Sequence, residues 1–185
     1  MIEVRIIKSN RRSISIQVTN EGKIVVRAPF SMTDQRIQSF LEEKERWIRK
    51  QIQLVEEQRR CAKEAGKLSY EEIRLLAEKA KDVFARKTAF YAKLVGVDYG
   101  RITIRNQKTR WGSCSAAGNL NFNCLLMLTP EEVQDYVVVH ELCHRKEMNH
   151  SKAFWNEVEK VLPDYKERRK WLKNEGMHLI LMAKE

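Results

Sequence analysis

Three of the chain's four histidines fall within eleven positions of the stretch VVVHELCHRKEMNHSKAFW, residues 137–155. On an α-helix, residues four apart lie on one face about one turn apart, so His140 and His144 can aim their imidazoles at a common ion. Glu141 is displaced by about 100° around the axis, which suits contact with a water on that ion rather than ligation. That is the position of a general base. Catalytic zinc takes three protein ligands and keeps a fourth position for water. On an unbroken helix His150 would lie about 120° around from His144 and about 9 Å further along, out of reach. The chain is therefore expected to turn, with Asn149 as a left-handed C-terminal cap and Ser151 starting the next helix, returning His150 to the metal. Glu157 and Glu159 on that following helix are rival third ligands that spacing leaves open. His150 is preferred because imidazole suits zinc and turn signals surround it. The expected centre is one Zn2+, with other divalent metals as possible substitutes, held by His140, His144 and His150 beside the catalytic base Glu141.

The elements that must position these groups are readable from periodicity. Residues 2–28 alternate as three short strands, IEVRII, SISIQV and KIVVRA, expected as a small antiparallel meander. After Pro29, cap candidates at Ser31, Thr33 and Asp34 open one long amphipathic helix carrying Ile37, Phe40, Leu41, Trp47, Ile48, Ile52 and Val55. Gly66 interrupts the apolar stripe. It places a boundary between an N-terminal region, 1–66, of β-meander plus long helix, and a hydrolase domain, 67–185. A second helix is expected from Tyr70 to Leu94, with Ile73, Leu76, Ala77, Ala80, Phe84 and Tyr91 on one face. RITIRN reads as a strand, and TRWGSCSAAGNLNFNCLLML as two more joined at SAAGN. Thr129 and Pro130 form a cap and first-turn signal for the histidine helix, whose start is favoured by Glu131, Glu132 and Asp135. Beyond it Ser151 caps a helix with Phe154, Trp155, Val158 and Leu162 inward, and a last helix is expected to end at Gly176.

At 185 residues, 43% hydrophobic and 32% charged, the chain is long enough for one well-buried core with a small appendage. Its net charge of +10 includes a cluster, Arg101, Arg105, Lys108 and Arg110, without an acidic residue between them. Such a surface attracts nucleic acid, phosphorylated small molecules or acidic peptides. Cys61, Cys114, Cys124 and Cys143 form no Cys-x-x-Cys pair, against a disulfide framework or cysteine-rich zinc site. No apolar run reaches the roughly 18–20 residues of a membrane span, and no signal-like h-region opens the chain. The expectation is a soluble, cytoplasmic protein with no membrane partner.

RWGSCS, followed by HELCHRKEMNHSKAFW, resembles the YgjP-type metal-dependent hydrolases, a zincin group related to the WLM and SprT-like proteases. IVVRAPF and ERWIRK are similar to the N-terminal β-module and tryptophan-bearing helix of that group, so the resemblance covers most of the chain. It implies an α+β fold with a zincin-like core, the motif helix packed beside a small antiparallel sheet. It also implies His140, His144 and His150 as metal ligands and Glu141 as base. The ligand spacing equals that of metzincins, but Glu147 stands where their turn glycine would be. In zincins an edge strand beside the motif helix holds extended substrate. TRWGSCS and LNFNCLL are the candidates, with Gly112 permitting close backbone approach and Arg110 or Asn121 touching substrate or an oxyanion. The function so implied is a zinc metallopeptidase acting on polypeptide. A metal-dependent nucleotide or phosphoanhydride hydrolase is the first alternative, and a nucleic-acid-binding protein with structural zinc the second.

Overall fold

Ile24, Val26 and Ala28 are the most deeply buried alternating residues of the N-terminal region, and the strand that carries them sits centrally in its sheet. The computed structural model describes residues 4–183; Ile2 and Glu3 of the expected first strand lie outside that range. Strands β1 (Val4–Ser9), β2 (Ser15–Val18) and β3 (Ile24–Pro29) pair in the order β1-β3-β2. β1 runs parallel to β3 and β2 antiparallel to it. The expected antiparallel meander is thus corrected. The most apolar strand takes the centre, where both edges are paired, and the 10–14 link crosses the place of β3 to reach the opposite edge instead of folding back as a hairpin.

The single long helix expected after Pro29 is also corrected: it is two helices, α1 (Asp34–Glu43) and α2 (Glu45–Ala65), parted at Lys44, whose backbone leaves helical geometry. The Thr33 hydroxyl caps α1 by accepting from the Arg36 N–H. Ile37 and Ile48 are buried with Leu41 and Ile52 against β3, and Trp47 is left exposed. The chain divides into two compact units, Met1–Cys61 and Ala62–Glu185.

In the second unit, α3 (Tyr70–Val95) starts with a complete capping box, Ser69 and Glu72 satisfying each other's backbone N–H groups. Ala80, Phe84, Thr88, Ala92 and Val95 form its buried stripe. Strands β4 (Ile102–Arg105), β5 (Gly112–Cys114) and β6 (Leu120–Asn123) pair in the order β4-β6-β5, with β4 parallel and β5 antiparallel to β6. The sheet beside the motif helix is therefore mixed, not antiparallel. β4 is separated from β6 by the β5 hairpin, so it returns to the far edge of β6 in the same direction. CLLML, expected as strand, is a 3-10 turn (Cys124–Leu128). Buried Asn123 turns the chain there: its Oδ1 accepts from the Leu125 N–H, while its amide donates to the carbonyls of Gln107 and Arg110.

Helix α4 (Glu131–Cys143) carries the first two histidines and is apolar around most of its circumference, with Val133, Tyr136, Val137, Val138, Val139, Leu142 and Cys143 all buried. Pro130 takes the N-cap position, and the Thr129 hydroxyl donates to the Leu126 carbonyl instead of capping. α5 (Lys152–Val161) is capped by Ser151, whose hydroxyl accepts from the Phe154 N–H. The last helix, α6, runs Tyr165–Met182, so the expected end at Gly176 is corrected. Gly176 sits inside the helix because a Cβ there would lie 2.8 Å from Trp111 Cζ2. The glycine makes room for an indole, and the helix continues. The α+β class, with a motif helix beside a small sheet, is as expected. No helix is long and apolar enough, among the described residues, to cross a membrane.

Candidate metal centre

His140 begins the last turn of α4, His144 follows at its C-cap still in helical conformation (φ −64°, ψ −14°), and His150 lies at the corner before α5. The helical conformation of His144 preserves the four-residue stacking of the first two rings, whose centroids are 5.0 Å apart. His150 is brought back by the turn after Cys143, where Arg145 N–H donates to the Leu142 carbonyl and those of Lys146 and Glu147 to the Cys143 carbonyl. The expected left-handed Asn149 is corrected, because no described non-glycine residue has positive φ. Its side chain makes the corner instead, Oδ1 accepting from the Ser151 N–H at 3.0 Å.

One ring nitrogen from each of His140, His144 and His150 lies within 4.8 Å of the others, and the Nε2 atoms of His140 and His150 are 3.0 Å apart. Glu157 and Glu159, the rival ligands, are engaged elsewhere: Glu157 by Lys146 and Lys160, Glu159 by Lys166. The three imidazoles fit a divalent ion. Tetrahedral coordination at about 2.0–2.1 Å places ligand nitrogens roughly 3.3 Å apart, close to the 3.0 Å between His140 and His150 and within the 4.8 Å that bounds the set. Nδ1–H of His144 donates to the Glu147 carbonyl at 3.0 Å, which fixes the tautomer and leaves Nε2 as the ligand atom. Residue 147 thus acts through its backbone, a role that its side chain does not reveal. Burial first, then the positive character of His144, His150 and Arg169, pushes His140 down to about 3. His150 is lowered by burial, His144 and Arg169. Both rings are therefore neutral near pH 7, the state that binds metal.

An aromatic floor holds the rings. The buried Phe154 ring lies with its centroid 4.8 Å from that of His140, 4.5 Å from His144 and 4.9 Å from His150. Trp155 stacks on His150 at 5.7 Å, and Tyr136, one turn before His140, meets it edge-on at 5.7 Å.

Glu141 is only 5% exposed, and burial pushes its carboxyl up to about 8, with Arg110 and the Cys114 backbone N–H pulling the other way. Its carboxyl lies against β5: a Cβ on Gly112 would fall 2.6 Å from Glu141 Oε1 and 2.8 Å from its Cγ. Gly112 was expected to admit a substrate backbone; the group that lies against it in the structure is Glu141. Arg110 is exposed just before β5, where its charge reaches Glu141. Strand alternation puts Gly112 and Cys114 on the face of Leu120 and Phe122, and Asn121 with Ser113 on the other, where the Asn121 amide donates to Ser113 Oγ. Asn121 is therefore turned away from Glu141. Arg145 ties the end of α4 to this hairpin, donating to the carbonyls of Asp98 and Ala116. Arg169 and Tyr136 escaped the sequence reading, whereas Trp155 was expected inward on the helix after Ser151 and lies against His150. Tyr136 was findable four residues before His140; Arg169 arrives from a separate helix and leaves no local signal.

The family model described as "YgjP-like, metallopeptidase domain" matches residues 12–79 and 67–175. Among solved structures, the metallopeptidase zymogen of Pyrococcus abyssi abylysin is similar at 28% identity and a TM-score of 0.44, covering 49% of this chain and 93% of that one. The metallopeptidase zymogen of Methanocaldococcus jannaschii jannalysin is similar at 22% identity and a TM-score of 0.44, with the same coverage. No curated protein matches the chain.

Proposed function

The chain belongs to the YgjP-like metallopeptidase family, and from that premise we propose that it is a zinc peptidase of extended or unfolded polypeptide. His140, His144 and His150 hold the ion in this reading, and Glu141 is the general base. The observation that carries it is the convergence of three imidazoles on one point beside a buried carboxyl group.

A divalent ion bound there supplies a Lewis acid for both the water and the scissile carbonyl. In its ionised form, which Arg110 and the Cys114 backbone N–H favour against burial, Glu141 takes the proton of the attacking water and delivers it to the leaving amine. Gly112 leaves the carboxyl group room to lie against β5. The Glu147 carbonyl keeps the His144 ring oriented, and Phe154 shields the inner side of all three rings from water. β5 is an edge strand whose odd-numbered neighbours bond to β6: Asn123 N–H donates to the Trp111 carbonyl and Ser115 N–H to that of Asn119. Gly112 accordingly presents its N–H and C=O to the outer edge, where an extended substrate can add as a further strand. Arg110, flanking that edge, is assigned to substrate contact.

The test is a screen of the zinc-loaded protein against unfolded polypeptides and nucleoside triphosphates. Cleavage of polypeptide is expected. Hydrolysis of the triphosphates alone would overturn the peptidase reading in favour of phosphoanhydride chemistry.

A further inference from the structure

Arg169 on α6 is exposed, and its guanidinium carbon sits 4.4 Å from the centre of the Trp155 ring. Trp155 in turn stacks on His150, with 23° between the planes, and on Tyr165 at 5.3 Å and 12°. The guanidinium thus lies over the ring that stacks on exposed His150, near enough for its charge to act on His140, His150 and Tyr136. Among the described residues no carboxylate pairs with it. Three acidic groups on and beside α5 are taken by other cations: Glu157 by Lys146 and Lys160, Glu159 by Lys166, and Asp164 by Arg168. A guanidinium fixed over a ring keeps its in-plane N–H donors free for a carboxylate. With Arg110 across the centre beside Glu141, the site is flanked by positive charge on two sides.

We propose that Arg169 is a specificity residue that receives a carboxylate carried by the polypeptide substrate. This rests on the peptidase reading. The carboxylate is either an acidic side chain near the scissile bond or the substrate's own C-terminus; both offer the same planar acceptor to the fork of N–H groups. The assignment explains why a planar cation is braced beside the metal ligands instead of being neutralised by a neighbour.

The experiment compares synthetic peptides that differ only as Glu against Gln beside the cleaved bond, or as free acid against amide at the C-terminus. The full zinc-loaded chain and its Arg169→Met, Arg169→Lys and Arg169→Glu variants cleave each pair, and the ratio of kcat/KM within a pair is the readout, so a general loss of stability or zinc cancels. The wild type is expected to favour the carboxylate member of one pair by about tenfold. Arg169→Met, whose stem still covers Trp155, brings that ratio towards one; Arg169→Lys keeps part of it; Arg169→Glu inverts it. The responding pair identifies the source of the carboxylate. A wild-type ratio near one in both pairs, or a ratio unchanged in Arg169→Met, overturns the assignment while leaving the peptidase standing. No cleavage of any peptide by the wild type overturns both.

Discussion

Glu141 and Gly112 occupy the same few ångströms, and the contact separates stability from catalysis. A methyl at position 112 meets only the Glu141 side chain, from Cγ to Oε1, and no backbone, so that side chain must shift as a whole and carry its carboxyl group with it. Misplacement of a catalytic group by about 1 Å costs on the order of 100-fold in rate. Gly112→Ala is therefore expected to keep its zinc, melt within a few degrees of wild type and lose about 100-fold in kcat with KM little changed; an unaltered kcat would show that the carboxyl group has other room. His150→Ala should lose zinc on dialysis, because the two histidines left on α4 make only half a site, and full retention would remove His150 from the ligand set. At this scale the sequence was most legible where geometry is local: His140, Glu141 and His144 follow from helical spacing alone. Gly112 was legible as a close approach but not as the seat of Glu141. Arg169 was invisible because its nearness to His150 depends on how α5 and α6 pack.

Helix α6 shows why element ends are harder to read than element cores. Glycine is a common helix stop, and nothing local to Gly176 reveals that an indole from the residue just before β5 needs its missing side chain. Gly176→Ala gains about 1 kcal/mol of helix propensity but overpacks Trp111 at roughly 1–3 kcal/mol. A melting temperature a few degrees lower is expected; a higher one would mean that Trp111 does not constrain the position. Ser151 makes the complementary case, since its cap was legible and also fixes the corner bearing His150. Ser151→Ala should lose about 1 kcal/mol of stability and weaken zinc binding, measured by competition with a chelator. Equal affinity would show that the corner holds without its cap. The apolar stripes of α3 and α5 were readable because helical periodicity is a local pattern, whereas the Ser69–Glu72 capping box of α3 emerged only in the structure. Strand order was not: β3 and β6 become central through contacts with residues distant in sequence, and alternation gives the inward face without naming the partner.

At the scale of the molecule, every residue assigned to the centre falls between Arg110 and Arg169, inside the unit Ala62–Glu185. A ligand that binds only the folded state adds stability by mass action, about 3 kcal/mol at a hundredfold excess over its Kd. Stripping the metal with a chelator should thus lower the melting temperature by roughly 5–10 °C, reversibly on adding zinc; an unchanged transition would mean the histidines hold no metal. Composition and charge left several polymers open as partners, because a net charge of +10 describes attraction without naming its object. Family membership narrows the chemistry to a metallopeptidase's. The most direct measurement is zinc content and polypeptide cleavage on the same samples of wild type and Glu141→Gln. The account predicts equal zinc in both and cleavage only by the wild type, whereas full cleavage by the zinc-loaded Gln variant would contradict it.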